Sequence, residues 1–396
     1  MNLKEEAFAL QEQIVAWRRE FHRCPELKMD TPITSGKIVR ILKEIGIEEI
    51  RSGIGGNGVA AVIHGALPGK CLGIRADCDG LPIREETGLP FASTNGNMHA
   101  CGHDAHTAMA LGAAKILWNH REELKGTVKF VFQPYEEGIG GAKAMIADGV
   151  MENPHIDAMI ALHTGVVGHP DSVSGDLSYQ PIASTFACTS YSIEVKGKSS
   201  HVATPQLGVD PLLTSCYIVT QLQAVLSRET EPGMPAVLSI NVIKGGSRNN
   251  IIPDKIYMEG TLRTMDKNST ERYYDRLCEI CKHTAAAMKC SVDVTQISHM
   301  DETVNNPEMT KIFLETAQEI VDKEHIFKME KASPAGEDFA MYAHMVPSIY
   351  FFLSAAYGDE RDYPHHNSKF NIDESNFWKG SGVFASFALN WQKENR

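Results

Sequence analysis

The sequence predicts an α/β protein of two domains: a larger discontinuous α/β domain, residues 1–183 and 297–396, interrupted by a smaller ferredoxin-like βαββαβ domain, residues 184–296. Three observations predict it. At 396 residues and 43% apolar, the chain exceeds what one hydrophobic core usually supports. Between Val59 and Leu162, apolar runs alternate with helical patterns, as in a sheet covered by helices on both faces. Near Ile182 the order changes to strand, helix, strand, strand, helix, strand, and near Val304 the first character returns.

In chain order, Ala7, Leu10, Ile14, Trp17 and Phe21 recur at three- and four-residue spacing and predict an opening helix. A second follows from Thr31, a capping residue, with Pro32 in the first turn and Gly46 past the end. Val59–Ile63, Cys71–Ala76, Val128–Phe132 and Ala158–Leu162 read as strands, and Thr107–Trp118 and Ala142–Ile146 as helices. In the insert, Cys188–Val195, Val237–Ile243, Ile256–Arg263 and Cys290–Val294 read as strands, and Val209–Leu226 and Ser269–Ala287 as helices. A helix over Pro307–Val321, a strand over Ile349–Leu353 and a closing helix from Glu374 complete the larger domain.

Composition excludes several functions. The formal charge of −12 repels phosphate backbones and anionic lipid surfaces, which argues against nucleic-acid and membrane roles. Charges interrupt the apolar positions of Met1–Phe21, so that segment has no signal-peptide or membrane-span pattern, and the chain reads as cytoplasmic. Nine irregularly spaced cysteines do not make a disulfide framework. Cys278 and Cys281 have redox-motif spacing but fall inside a helical pattern, where buried helix cysteines are the plainer account.

The chemistry concentrates in Asn97–His106, where one thiol, three imidazoles and a carboxylate fall within ten residues. Thiolate and neutral imidazole are what borderline-soft divalent metals prefer. Cys101 and His103 are the candidate ligands there, while Asp104 reads as a cap for the helix that follows. Asp77, Glu136, Glu137 and His163 each lie at or just beyond the end of a predicted strand, where open α/β sheets bind ligands. Adjacency lets one of Glu136 and Glu137 bind metal while the other accepts a proton. His365 and His366 are equivalent further candidates. In the insert, His201 sits in a turn suited to proton donation or oxyanion stabilisation. Gly245–Asn250 reads as a hairpin turn, and Arg263 ends a strand, suited to a surface ion pair or to gripping a carboxylate.

With these residues in view, the whole chain closely resembles the dinuclear-metal aminoacylase and carboxypeptidase family, particularly its N-acyl-amino-acid amidohydrolase and hippurate hydrolase branch. The resemblance rests on Arg75–Pro82, Met98–His106, Phe132–Glu137, Gly197–His201, Gly260–Thr264, Gly336–Phe339 and His366–Phe370. It implies two divalent ions per subunit, zinc, manganese, cobalt or nickel, on Cys101, His103, Glu137, His163 and His366, with Glu136 as general base. His366 is chosen over His365 because the family's ligand stands four residues before the phenylalanine, here Phe370. Cys101 takes the place of a bridging aspartate found in other branches. The resemblance also implies that Asp77 orients the metal-site histidines and that Asn250 and Arg263 bind substrate. It further implies a lid and dimerisation role for the insert, with His201 reaching into the partner subunit's site in a homodimer or dimer of dimers. Tyr135, Ser199–Ser200, Gln206 and Ala335–Gly336 depart from the branch, and Tyr135 and Gln206 bear on the substrate pocket.

The expected reaction is hydrolysis of the amide bond of an N-acyl amino acid. A dipeptidase or carboxypeptidase needs the same ligands and differs only in the acyl group. Two other readings use the same residues differently: Cys101 as an activated nucleophile, or a metal-binding, redox-sensing dimer without turnover. The carboxylate of Glu136 beside a ligand argues against the last.

Overall fold

The computed structural model describes residues 2–394 and divides them into two compact units. The first comprises residues up to Ser184, Thr303–Lys331 and those from Asp338; the second comprises Thr185–Glu302 and Ala332–Glu337.

The first unit holds an eight-stranded sheet in the order Ile50–Ile54, Gly58–His64, Lys125–Gln133, Leu67–Asp77, Ala158–Gly165, Ser348–Ser354, Leu177–Tyr179, Ile326–Lys328. The four strands from Lys125–Gln133 to Ser348–Ser354 run parallel, so their carboxyl ends share one edge. Gly58–His64 and Leu177–Tyr179 flank them antiparallel. Successive residues of the central strands enter different cores: Ile160, Leu162, Phe351 and Leu353 join one, and Met159, Ala161, Tyr350 and Phe352 the other. Both faces of the sheet are therefore covered, as the near-continuous apolar runs require.

At the centre of the larger core lies the helix His103–Asn119, buried over 14 of its 17 residues. It packs on Gln11–His22 and on the closing helix Phe377–Glu394. At Gly112 an added Cβ would collide with Ser381 and Ile14, so glycine lets those helices approach. The helix Pro32–Ile45 ends at Gly46 in the left-handed conformation, φ +109°. The single opening helix expected from periodicity is two, Leu3–Ala9 and Gln11–His22, and the helix from Pro307 stops at Ala317.

The second unit is a four-stranded antiparallel sheet in the order Ser291–Met300, Ala187–Lys196, Lys255–Thr264, Ala236–Gly245. Numbered along the chain this is 4-1-3-2, the ferredoxin-like arrangement. The helices Pro211–Arg228 and Lys267–Ala287 pack on one face around Tyr191, Ile193, Ile218, Leu222, Met258 and Leu277. Residues 297–300, assigned by sequence to the larger domain, continue the strand Ser291–Met300. Ser333 and Ala335 join this unit because their carbonyls accept the Phe186 N–H, a long-range pairing that the local sequence pattern does not reveal. All nine cysteines are free, and burial pushes the Cys281 thiol up to about 12, which fits a core residue and not a redox pair.

Candidate metal centre

The carboxyl edge of the parallel strands carries the donors. Asp77 is the last residue of its strand, His163 lies near the end of the next, and Glu136 and Glu137 follow Lys125–Gln133 in a turn. Cys101 and His103 flank Gly102, whose φ of +86° makes the sharp entry into the central helix. A Cβ at Gly102 would lie 2.9 Å from the Thr164 carbonyl, so a side chain there meets the His163 strand. Tyr135 also adopts a left-handed φ, +62°, and its carbonyl accepts the N–H groups of Gly140 and Gly141. The Tyr135 ring packs on Gly138 and Gly140.

The structure brings all five implied ligands and Glu136 together. His103 donates Nδ1–H to the Asp79 carbonyl at 3.0 Å, leaving Nε2 buried and without a hydrogen-bonding partner. That nitrogen lies 3.8 Å from Glu136 and 4.0 Å from Glu137. Cys101 Sγ is 3.5 Å from His163 Nε2, and the His163 Nδ1–H is committed to the Thr164 carbonyl. Glu137 Oε2 is 3.2 Å from His366 Nε2, while its Oε1 is buried without a partner. Three overlapping donor sets result: Cys101, Glu137 and His366; His103, Glu136 and Glu137; Cys101, His163 and His365. Burial holds His163 well below the usual imidazole range, so it offers a lone pair at neutral pH. Burial would raise Glu137, but the bond to His366 and the charge of His103 bring it below its ordinary value.

His365, set aside in favour of His366, is also in the cluster, with Nδ1 3.4 Å from Cys101 Sγ. Burial holds it down to about 3. The adjacent histidines serve different neighbours, and His366 does so at φ +64°.

Another geometric set, Asp77, His103 and His106, is not a metal site. Asp77 accepts His106 Nδ1–H at 2.5 Å, and His106 Nε2 accepts the Thr164 N–H at 2.8 Å, so both ring nitrogens are occupied. Asp77 therefore orients His106, and through it the backbone beside His163, while remaining 3.8 Å from His103. Burial opposes the charge of Asp77, yet His103, Arg75 and His106 hold its carboxyl well below the usual range.

Two supporting residues were not singled out by sequence, and a third holds a different role from the one the sequence suggested. Asp79 accepts the backbone N–H groups of Glu136 and Glu137 at 3.1 and 3.3 Å, fixing the turn that presents both carboxylates. Its position in Arg75–Pro82 was the available signal. Asp338 accepts from Arg75, Gln133 and the Ala142 N–H, bracing the strands under the site. Asp104, expected to cap a helix, instead lies inside its first turn and is fully buried. It accepts from Arg18 Nε at 2.7 Å and from His22 Nδ1 at 2.7 Å. Gly102 occupies the cap position.

His201, Asn250 and Arg263 belong to the second unit, whereas every donor described above belongs to the first. His201 is exposed and pairs with Ile251 in a short ladder, beside Asn250, whose carbonyl accepts the Val202 N–H. Arg263 lies on the sheet and donates Nη1–H to the Pro334 carbonyl at 2.7 Å.

Parallel strands ending on a compact set of thiol, imidazole and carboxylate donors, two of them with unpartnered buried atoms, define the class of metal-dependent hydrolases. The model of peptidase family M20/M25/M40 matches residues 73–390, and the chain belongs to that family. An N-acetyl-L-cysteine deacetylase of Bacillus subtilis is 36% identical over 391 residues, 96% of this chain and 90% of that protein. A thermostable carboxypeptidase of Saccharolobus solfataricus is 33% identical over 99% of this chain and 98% of its own length. A solved Bacillus subtilis structure described as a dinuclear metal-binding peptidase of family M20 superposes with a TM-score of 0.84 at 31% identity, covering 97% of this chain and 99% of that one. The family resemblance read from the motifs is thus borne out. No helix among the described residues is long and apolar enough to cross a membrane.

Proposed function

We propose that this chain hydrolyses the amide bond of N-acyl amino acids, releasing a carboxylate and a free amino acid. Two divalent ions are held by Cys101, His103, Glu137, His163 and His366, and Glu136 is the general base. The observation that carries this reading is the carboxylate pair beside His103: two adjacent acids face one buried imidazole nitrogen that makes no hydrogen bond. A metal store has no use for the second acid. The donors fit zinc, manganese, cobalt or nickel, since a thiolate, imidazoles and a carboxylate suit all four.

When bound, such ions polarise a carbonyl and make water a stronger acid. The protein's own groups do the rest. Asp79 fixes the turn, so Glu136 is presented rather than left to wander on a loop. Glu136 takes a proton from the attacking water and returns it to the leaving nitrogen, so that one water is consumed per bond broken. Asp77, through His106 and the Thr164 N–H, keeps His163 aligned. His201, from the second unit of a partner subunit in a homodimer or dimer of dimers, stabilises the oxyanion, and Asn250 and Arg263 bind the α-carboxylate.

Similarity to an N-acetyl-L-cysteine deacetylase supports the acyl substrate, and similarity to a carboxypeptidase keeps peptide cleavage as the second reading. A metal-reconstituted screen over N-acetyl, N-benzoyl and longer N-acyl amino acids beside dipeptides separates them. Turnover confined to dipeptides overturns the first.

A further inference from the structure

We propose that His365 is a positioning residue for the metal centre, donating its Nδ1–H to the Cys101 thiolate and not itself binding metal. The inference rests on the metal-centre reading above and adds to it a residue outside the five implied ligands.

The ring of His365 has a seat built for it. One side packs on Phe370, with ring centroids 4.7 Å apart. The other side faces Gly165, φ +142°, where an added Cβ would collide with Nε2 and Cε1 of the imidazole. Glycine at that point of the strand leaves the notch into which the ring fits. The ring also lies against His163, centroids 5.1 Å apart, so translation in that direction is blocked as well.

Within this seat only one nitrogen has polar company. Nδ1 is 3.4 Å from Cys101 Sγ, an ordinary separation for an N–H to sulfur bond, whereas Nε2 is buried with no partner. A neutral imidazole carries one proton. On Nε2 it would be a buried, orphaned donor, and Nδ1 would turn a lone pair toward the sulfur's own. On Nδ1 it meets the sulfur and leaves only an unmatched acceptor, the less costly defect. That tautomer commits Nδ1 to the sulfur and directs the remaining lone pair at Gly165, away from the donor sets.

The consequence concerns the thiolate. A thiol that binds metal is deprotonated, and Cys101 is buried, where negative charge on sulfur is poorly solvated. A neutral N–H aimed at it supplies part of the lost solvation and orients the sulfur between Glu137 and His163. His366 meanwhile stands at Glu137, so the adjacent pair divides into one ligand and one donor to a ligand.

The test is optical. Wild type, His365→Leu and His365→Gln are loaded with cobalt(II), and the near-ultraviolet sulfur-to-cobalt charge-transfer band is recorded with metal stoichiometry and the count of bound imidazoles by X-ray absorption. Leucine fills the notch without an N–H, and glutamine restores one. The expected result is a red shift of the band in His365→Leu, because an unbonded thiolate gives up charge more readily, with two ions and an unchanged imidazole count. In His365→Gln the band returns toward its wild-type position. No shift in a folded His365→Leu protein overturns the proposal, as does loss of one imidazole from the coordination shell, which would make His365 a ligand. If the leucine variant does not fold, the imidazole count of His365→Gln still decides between donor and ligand. A wild-type protein that shows no charge-transfer band at all would instead sink the metal-centre reading itself.

Discussion

Replacing Asp104 by asparagine distinguishes a helix cap from a buried charge anchor. As caps the two residues are nearly equivalent, so a capping role predicts a change of only a few tenths of a kcal/mol. In the structure Asp104 and Arg18 are both fully buried, and Asp104 accepts from Arg18 and His22 at once. Removing one partner of a buried ion pair costs about 3–5 kcal/mol. Glu374 still holds Arg18 and Glu85 still holds His22, so the loss in Asp104→Asn should fall toward the lower end, about 3 kcal/mol. The four tryptophans, Trp17, Trp118, Trp378 and Trp391, all lie in the first unit, so their fluorescence in a urea titration reports that unit alone. The midpoint should fall by about 1 M or more. Burial opposes the Asp104 charge, but Arg18 and His22 hold its carboxyl well below the usual range. Its contribution is therefore present above the unfolded value of about 3.9 and lost as pH falls through the folded value. Burial and Arg18 push His22 down, yet Asp104 and Glu85 leave it above its ordinary value. That contribution is present below the unfolded value of about 6.5 and lost as pH rises through the folded value. The gap between wild type and variant, both stripped of metal, should be widest between those limits. An unfolding free energy changed by no more than about 0.5 kcal/mol near pH 5.5 refutes the anchor.

Three further outcomes are expected. Glu136→Gln should lower kcat by about 10²–10⁴-fold with metal content unchanged, checked by turnover and elemental analysis together; unchanged turnover with metal in place removes Glu136 as the base. Prolonged chelation should abolish activity and a divalent ion should restore it, whereas activity that survives stripping points to Cys101 as a nucleophile. His106→Gln should weaken metal binding by about 10–100-fold in an equilibrium titration, because the Asp77 to Thr164 connection is cut while every ligand remains.

How much was legible in the sequence follows from how local each determinant is. The alternation of apolar runs and helical periods reports burial along one segment, and it located the central strands and the βαββαβ element order of the insert, whereas the 4-1-3-2 pairing is set by long-range contacts. The residues gathered at the strand ends were legible because strand termini can be read locally and the parallel topology carries them to one edge. Asp104 was misread because a capping residue before a helix and a buried anion inside its first turn look alike in sequence. Its partners Arg18 and His22 stand more than eighty residues earlier. Asp79 was passed over for a related reason: it binds backbone N–H groups, which have no side-chain signature. The choice between His365 and His366 could not be made from composition, since neighbours in an irregular segment have no fixed phase. Only the notch at Gly165, two hundred residues away, seats one of them against Cys101.

The unpartnered atoms of the centre lead to one more expectation. His103 Nε2 and Glu137 Oε1 are buried with no hydrogen bond, and each such atom costs a folded protein about 1–3 kcal/mol. Evolution would remove that cost unless something else satisfied the pair, and both belong to donor sets that converge on shared neighbours. A ligand bound by the folded state alone stabilises it by about 2.7 kcal/mol when its free concentration is a hundred times its dissociation constant. Adding a divalent ion should therefore raise the urea midpoint seen by tryptophan, which the first unit alone supplies. Glu137→Gln should blunt the rise, since an amide is a poorer metal ligand than a carboxylate, and a substitution of an exposed residue in the second unit such as Lys244→Gln should leave it unchanged. If saturating metal leaves the wild-type midpoint where it was, the buried donors are not a metal site, because binding confined to the folded state must stabilise it.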